Sequence, residues 1–171
     1  MEKTRMLMLR DALNEFSAHS NQHPSAALLY PIEANDIRGL RDCTGEVLGA
    51  YRLAKGRDVV YIGLACWDQS EDYRIGLFFQ KKQQFPSMVL SKHNGQYFEF
   101  SYAPRKQDGL NPQRKQQFEQ ALGQQTVQLI IPYDELSVFK FAKSVTTLAT
   151  TIRQLNALKP ETAATTGSLK E

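Results

Sequence analysis

Apolar and polar residues alternate through the middle of the chain, and this pattern predicts a run of strands. Residues 47–53 and 58–66 flank a short turn, so they are predicted to pair as a hairpin. Residues 73–80 alternate in the same way, and residues 26–30 form a short apolar run that suits a further strand. Strands joined by short turns pair with their neighbours, which predicts an antiparallel meander with one packed face and one open face.

A second hairpin is predicted around Asn94 and Gly95, which stand between two further alternating runs. Asn-Gly is a strong hairpin signal, because a type I′ turn needs positive φ angles at both central residues. After this turn Phe98, Phe100 and Tyr102 share one face, and we expect them to be buried against a helix.

Two amphipathic helices are predicted, one near each end of the chain. The first covers residues 4–18, with Thr4 as its N-cap, and the second is capped by Asp134 or Ser137. The apolar stripe of the first helix consists of Met6, Leu9, Leu13 and Phe16. The stripe of the second, spaced at three and four residues, consists of Val138, Phe141, Val145, Leu148, Ile152 and Leu155.

These elements together predict an α+β fold: an antiparallel β-meander of five to six strands backed by an N-terminal and a long C-terminal amphipathic helix. Residues 111–123 are predicted to form a short helix that interrupts the sheet, and residues 126–131 a further buried strand. We expect residues 1–159 to form a single domain. Residues 160–171 have no apolar periodicity and are expected to be a disordered tail.

The composition is that of a globular protein with an ordinary core. The 171 residues are 42% hydrophobic and 23% charged, which suits one domain. No apolar run approaches the roughly 20 residues that a membrane-spanning helix needs, and the charged N-terminus makes a poor signal peptide. Two isolated cysteines, Cys43 and Cys66, in a chain without a leader favour reduced thiols and a cytoplasmic location.

Positive charge slightly exceeds negative charge, with a formal net charge of +3. Basic doublets stand at predicted strand ends or in the connection that follows, at Lys81 and Lys82 and at Arg105 and Lys106. Such doublets are typical of the rim of a nucleic-acid-binding surface and also of ordinary solvated loops, so both interpretations stay open.

A pair of tripeptides resembles the signature of the GIY-YIG nucleases. The first is Gly49-Ala50-Tyr51 on one predicted strand, and the second is Tyr61-Ile62-Gly63 on the next. With Arg74 as the phosphate-binding arginine and Glu119 as the metal-binding glutamate, the resemblance implies a phosphodiesterase site that holds a divalent cation. That family places its arginine on a helix, whereas Arg74 lies in a segment that alternates as a strand.

The order of the elements resembles that of the whirly and Pur-type single-stranded nucleic-acid binders. A multistranded antiparallel sheet is followed by an apolar segment, a proline and a long amphipathic helix, here within residues 126–155. The resemblance covers residues 47–155 and implies that basic and aromatic side chains on the open face of the sheet carry the strand. In such a surface the bases stack on aromatic rings while cations follow the phosphates.

The resemblance therefore predicts a binding surface on the open face of the sheet. Its members would be Arg52, Arg74, Phe78, His93 and Tyr97, with Lys81, Lys82, Arg105 and Lys106 at the rim. Phe78 and Tyr97 could instead cover the helices on the other side, and this alternative stays open.

A non-catalytic nucleic-acid-binding protein is the function that these features favour, with no catalytic residue, no cofactor and no metal site. The histidines are scattered without the spacing of metal ligands. One alternative is a protein–protein adaptor or assembly subunit, with a homo-oligomer or a protein partner bound through the 138–155 helix. The other is a GIY-YIG-like phosphodiesterase that uses Tyr51, Tyr61, Arg74 and Glu119.

Overall fold

The computed structural model contains two long helices and one antiparallel sheet. The described residues are 3–19, 28–37, 40, 43–66, 72–79, 88–94, 97–102, 112–113, 116–117, 119–120 and 129–157, with the backbone alone at 88–94, 97–102 and 155–157. Within these residues, neither long helix has the length and apolar character needed to cross a membrane. The tail predicted for residues 160–171 lies outside them.

The strands follow one another across the sheet in chain order, and each is antiparallel to the next. The strands are β1 (Leu28–Pro31), β2 (Val47–Lys55), β3 (Asp58–Cys66), β4 (Tyr73–Phe78), β5 (Met88–Asn94) and β6 (Tyr97–Tyr102). The predicted α+β class and antiparallel meander are therefore confirmed. Residues 129 and 131 are not in a strand and Ile130 forms an isolated bridge, so the strand predicted for residues 126–131 is wrong over its described part.

Helix α1 (Lys3–His19) has the predicted buried face. Its buried residues are Met6, Leu9, Leu13 and Phe16, because these apolar side chains recur on one side of the helix. Thr4 already lies inside the helix, so its prediction as the N-cap is wrong.

Helix α2 (Glu135–Ala157) begins at a side-chain cap. The carboxylate of Asp134 accepts a hydrogen bond from the Ser137 backbone N–H at 2.7 Å, and the Ser137 hydroxyl donates to the Asp134 carbonyl at 3.0 Å. These bonds satisfy backbone groups that the first helical turn leaves open, which confirms Asp134 as the cap. The described part of the predicted stripe, Val138 through Ile152, is buried in the core. That stripe is therefore not a surface for a partner.

One face of the sheet, here called the helix-covered face, packs against both helices. Its buried residues from the strands are Leu29, Tyr51, Leu53, Val60, Ile62, Leu64, Cys66, Tyr73, Ile75 and Leu77. An ion pair also ties α2 to the sheet, since Arg153 donates to Asp58 at 2.6 Å and the Thr150 hydroxyl donates to the same carboxylate. Burial alone would raise the pKa of Asp58, but these two hydrogen bonds and the positive charges of Arg153 and Arg57 together outweigh it and lower the pKa below its usual value.

The second face is covered over part of its area by the described residues 32–37, 40 and 43–46, here called the strap. Ile37 and Leu40 of the strap form a small core with Ala50, Ala65 and Phe78. The strap is held at both ends, where the Ile32 N–H donates to the Ala50 carbonyl at 2.9 Å and the Cys43 thiol donates to the Cys66 carbonyl at 3.0 Å. The expectation of a fully open second face is therefore wrong.

The contact between the strap and the sheet depends on a glycine. A Cβ atom at Gly63 would lie 2.9 Å from the Cδ1 atom of Leu40, closer than side chains approach each other. Gly63 pairs with Gly76 on the neighbouring strand, so two positions without side chains lie next to each other beneath the strap. This recess lets Leu40 reach the sheet and become buried, at 4% exposure.

The second hairpin has a different tip from the one predicted. Asn94 is the last residue of β5 and pairs with Tyr97, so the connection consists of residues 95 and 96. The prediction of Asn94 at the tip is wrong, although Gly95 remains in the connection. Phe98, Phe100 and Tyr102 occupy positions on the helix-covered face by register, and the burial of their side chains stays a prediction.

Candidate nucleic-acid interface

A row of three side chains crosses the second face beside the strap. Tyr30 of β1 pairs with Arg52 of β2, and Arg52 pairs with Tyr61 of β3. Directly paired residues in antiparallel strands lie on the same face, with Cβ atoms about 4.5–5.5 Å apart. The row therefore places one guanidinium between two phenol rings, and Phe78 of β4 continues it.

The row is open at one end and covered at the other. Tyr30 is 42% exposed, and Arg52 and Tyr61 are half-buried. Phe78 is 1% exposed because the strap covers it. Phe78 therefore cannot act as a stacking platform for a base, and its prediction as a binding residue is wrong. The alternative predicted a packing role for Phe78, and that part is confirmed. Phe78 packs under the strap, however, and not against the helices.

The next row toward the β2–β3 turn extends the open surface. Leu28, Ala54 and Val59 pair with one another across the three strands, and each is half-buried. These residues together with Tyr30, Arg52 and Tyr61 are here called the platform. It is a shallow surface with an apolar floor, two aromatic rings and one cation.

Charges of both signs surround the platform. Arg57 is exposed in the β2–β3 turn, where Gly56 has a φ angle of 61°. Lys55, the last residue of β2, pairs with Asp58 and therefore belongs to the helix-covered side. The one carboxylate next to them in sequence, Asp58, is bound by Arg153 on the helix-covered side. Among the described residues no ion pair involves the Arg52 guanidinium. Glu33 and Asp36 of the strap are the exposed acidic residues on this side.

Other predicted binding residues do not join the platform. Arg74 lies four residues before Phe78 on β4, about 13 Å along the strand, and forms an ion pair with Asp72 at 2.7 Å. The register places position 94, and not position 93, opposite Tyr97. His93 and Tyr97 therefore belong to opposite faces, and the prediction that they share one is wrong.

Several of the predicted binding residues cannot be placed on a surface, because the structure describes only their backbone or does not describe them. The position of Tyr97 belongs to the same face as the platform by register. Its side chain, and residues Lys81, Lys82, Arg105 and Lys106, lie outside the described residues. Their assignment to the binding surface stays a prediction.

The structure separates the residues of the GIY-YIG resemblance. Tyr51 lies on the helix-covered face at 1% exposure, whereas Tyr61 lies on the second face. The Tyr51 hydroxyl donates to the Asn14 side-chain oxygen at 2.8 Å, and burial raises the pKa of this phenol to about 12. Tyr51 is therefore a neutral packing residue. Arg74 lies on a strand and Glu119 is exposed on a helical segment.

A metal centre is not formed by the described residues, since they contain no group of three His, Cys, Asp or Glu side chains that could hold an ion. The two tyrosines on opposite faces and the arginine on a strand therefore do not assemble the implied phosphodiesterase site.

Arg52 is the one platform residue that the sequence predicted as a nucleic-acid contact, since Tyr61 was named only for the nuclease alternative. Of the platform residues that were not predicted, the most exposed aromatic one is Tyr30. Its strand was expected, but no turn signal connects residues 26–30 to a partner strand, and the pairing with β2 crosses a connection of 15 residues between Pro31 and Val47. The sequence signal that could have indicated this contact is an aromatic residue directly before Pro31, at the end of a predicted strand.

Comparison of the chain with protein-family models, with curated proteins and with solved structures finds no match. The chemistry of the platform is therefore the basis for assigning a function.

Proposed function

We propose that this protein binds single-stranded nucleic acid on the platform, without catalysis. The observation that carries the proposal is the row of Tyr30, Arg52 and Tyr61, which sets a guanidinium between two phenol rings on adjacent strands. Proteins that bind single strands combine cations for the backbone with aromatic rings for the bases. The row places a cation and two aromatic rings next to one another across three strands.

The dimensions of the row suit a single strand. Neighbouring strands lie about 4.8 Å apart, so the rings on β1 and β3 are about 10 Å apart with the cation between them. Two bases can stack on the rings while the intervening phosphate contacts Arg52, because stacking is tolerant of base identity. A duplex hides its base faces, so its binding would lose the stacking contribution.

The strap gives the platform its boundary. It covers Phe78 and the glycine recess, so among the described side chains the open part of the second face is the end beside the β2–β3 turn. Arg57 in that turn provides further positive charge for the backbone of the bound strand. A bound strand is therefore expected to run across β1, β2 and β3, with its phosphates toward the turn.

Fluorescence anisotropy with a labelled single-stranded oligonucleotide, over a series of salt concentrations, tests this proposal. Arg52→Ala should weaken binding and reduce the slope of log K against log salt by about 0.7, the value for one phosphate neutralised in a single strand. Tyr30→Ala should lower the affinity by about 1–3 kcal/mol and leave the slope unchanged, because a lost stacking contact releases no counterion.

Two matched variants serve as controls. Tyr30→Phe keeps the ring and should bind like the unaltered protein, while Arg10→Ala removes a cation from α1 on the other side of the sheet. The absence of binding to any oligonucleotide at low salt would refute the proposal. Equal effects of Arg10→Ala and Arg52→Ala would place the binding site somewhere other than the platform.

A further inference from the structure

The outward side of α2 carries two large apolar side chains in solvent. Leu136 is 60% exposed and Phe139 is 45% exposed, and their spacing of three residues brings them together on one side of the helix. The inward side of the same helix is fully committed to the sheet. The exposed pair therefore has no role in the packing of the described core.

The N-terminal end of this exposed pair is acidic. A cleft of about 110 Å³ between the end of α1 and the start of α2 is lined by Glu15, His19, Asp134 and Glu135. Hydrogen bonds from the Ser137 backbone and side chain outweigh burial and lower the pKa of Asp134, so it is ionised at neutral pH. Among the described residues Glu15 and Glu135 form no ion pair.

The C-terminal end of the exposed pair is basic. Lys140 and Lys143 are both exposed on α2, one and four residues after Phe139. From the N-terminal to the C-terminal end of this part of α2, the surface is therefore first acidic, then apolar and then basic. A surface with opposite charges at its two ends is complementary to a copy of itself turned end for end.

We propose that two copies of this chain associate through the outward sides of their α2 helices, antiparallel and about a two-fold axis near Phe139. Glu135 and Lys143 are each four residues from Phe139, about 6 Å to either side along the axis. The two-fold rotation therefore brings Glu135 of each copy to the level of Lys143 of the other copy. Phe139 and Leu136 lie between these two ion pairs and are removed from water.

A second copy fits this surface better than an unrelated partner does. A purely acidic partner would meet repulsion at Glu15, Asp134 and Glu135, and a purely basic partner would meet repulsion at the two lysines. Only a partner with the reversed order of charges satisfies both ends, and the same helix supplies that order. With two large apolar side chains per copy, the dimer is weak and forms as the protein concentration rises.

Sedimentation equilibrium over a range of protein concentrations tests this inference. The unaltered protein should show a monomer–dimer equilibrium. Phe139→Ser should shift dissociation to at least tenfold higher concentration, and Glu135→Lys and Lys143→Glu should each do the same, because each places two pairs of like charges in the interface. Gln154→Ala, an exposed change near the other end of α2, is the control and should leave the equilibrium unchanged.

Mixing the two charge variants gives the decisive measurement. In a mixed dimer of Glu135→Lys with Lys143→Glu, both contacts again join opposite charges, so association should recover to near that of the unaltered protein. A folding defect in either variant could not produce such recovery. The proposal is overturned if the unaltered protein is a monomer at every concentration, or if the mixture associates no better than the separate variants.

Discussion

The two faces of the sheet are covered in different ways. The helix-covered face is packed by two amphipathic helices and contains a continuous apolar core that runs from Leu29 to Leu77 of the strands. Among the described residues, the strap packs on the second face, where it is anchored on a small core around Leu40 and Phe78 and leaves the platform partly open. One face thus contains most of the buried apolar side chains of the described sheet, and the other is covered over only part of its area.

The contrast between the faces also separates residues of the same type. Tyr51 and Tyr61 belong to adjacent strands, yet Tyr51 is buried with its hydroxyl bonded to Asn14 and Tyr61 is half-buried at the platform. A tyrosine on the helix-covered face acts in packing, whereas on the second face Tyr30 is exposed and Tyr61 is half-buried beside the strap. The face a residue occupies decides its role more than its type does.

The largest expected effect comes from α2, where two phenylalanines face opposite ways. Phe141→Ala should lower the free energy of unfolding by about 3–5 kcal/mol, the usual loss for a buried phenylalanine. Phe139→Ala removes the same atoms from the exposed side and should change it by less than about 0.5 kcal/mol. Urea denaturation at a protein concentration that keeps the chain monomeric measures both. Similar losses for the two variants would show that α2 is not packed on the sheet through Phe141.

An intermediate effect is expected at the glycine beneath the strap. Gly63→Ala should lower the free energy of unfolding by about 1–3 kcal/mol, because the added methyl group overpacks the contact with Leu40. In a Leu40→Ala background that loss should shrink by about 0.5 kcal/mol or more, since the two side chains no longer collide.

Leu53 provides the control for this pair, because it is fully buried on the helix-covered face. In a Leu53→Ala background the loss caused by Gly63→Ala should stay unchanged. If Leu40→Ala and Leu53→Ala alter it equally, the strap does not lie on Gly63 and the second face is open over a larger area.

The smallest expected effect compares one hydroxyl on each face. Tyr51→Phe should lower the free energy of unfolding by about 0.5–1.5 kcal/mol, because it removes the hydrogen bond to Asn14. Tyr30→Phe should change it by less than about 0.5 kcal/mol, since that hydroxyl is at an exposed position. Thermal or urea denaturation of the two variants resolves the difference, and the reverse order would assign the wrong face to one of the tyrosines.

Local patterns were sufficient for the helices and for most strands. The stripe of Met6, Leu9, Leu13 and Phe16 identified the buried face of α1, since every third or fourth residue returns to the same side. The alternation of residues 73–80 showed that Arg74 lies on a strand, which already opposed the nuclease resemblance. The separation of His93 from Tyr97 could also be predicted from alternation. Neighbouring residues of a strand lie on opposite faces, and Tyr97 pairs with Asn94, the neighbour of His93.

The sequence by itself thus determined the α+β class, the antiparallel meander and the buried sides of both helices, because each depends on residues that are close along the chain. Only the tertiary structure decided which part of the second face stays open. The described part of the strap contains one short 3-10 helix, Ala34–Asp36, and its place depends on a recess at Gly63 and Gly76 that lies far from Leu40 in sequence. That distant contact buries Phe78 and leaves Tyr30 exposed and Arg52 and Tyr61 half-buried beside the strap, where we propose that a nucleic-acid strand binds.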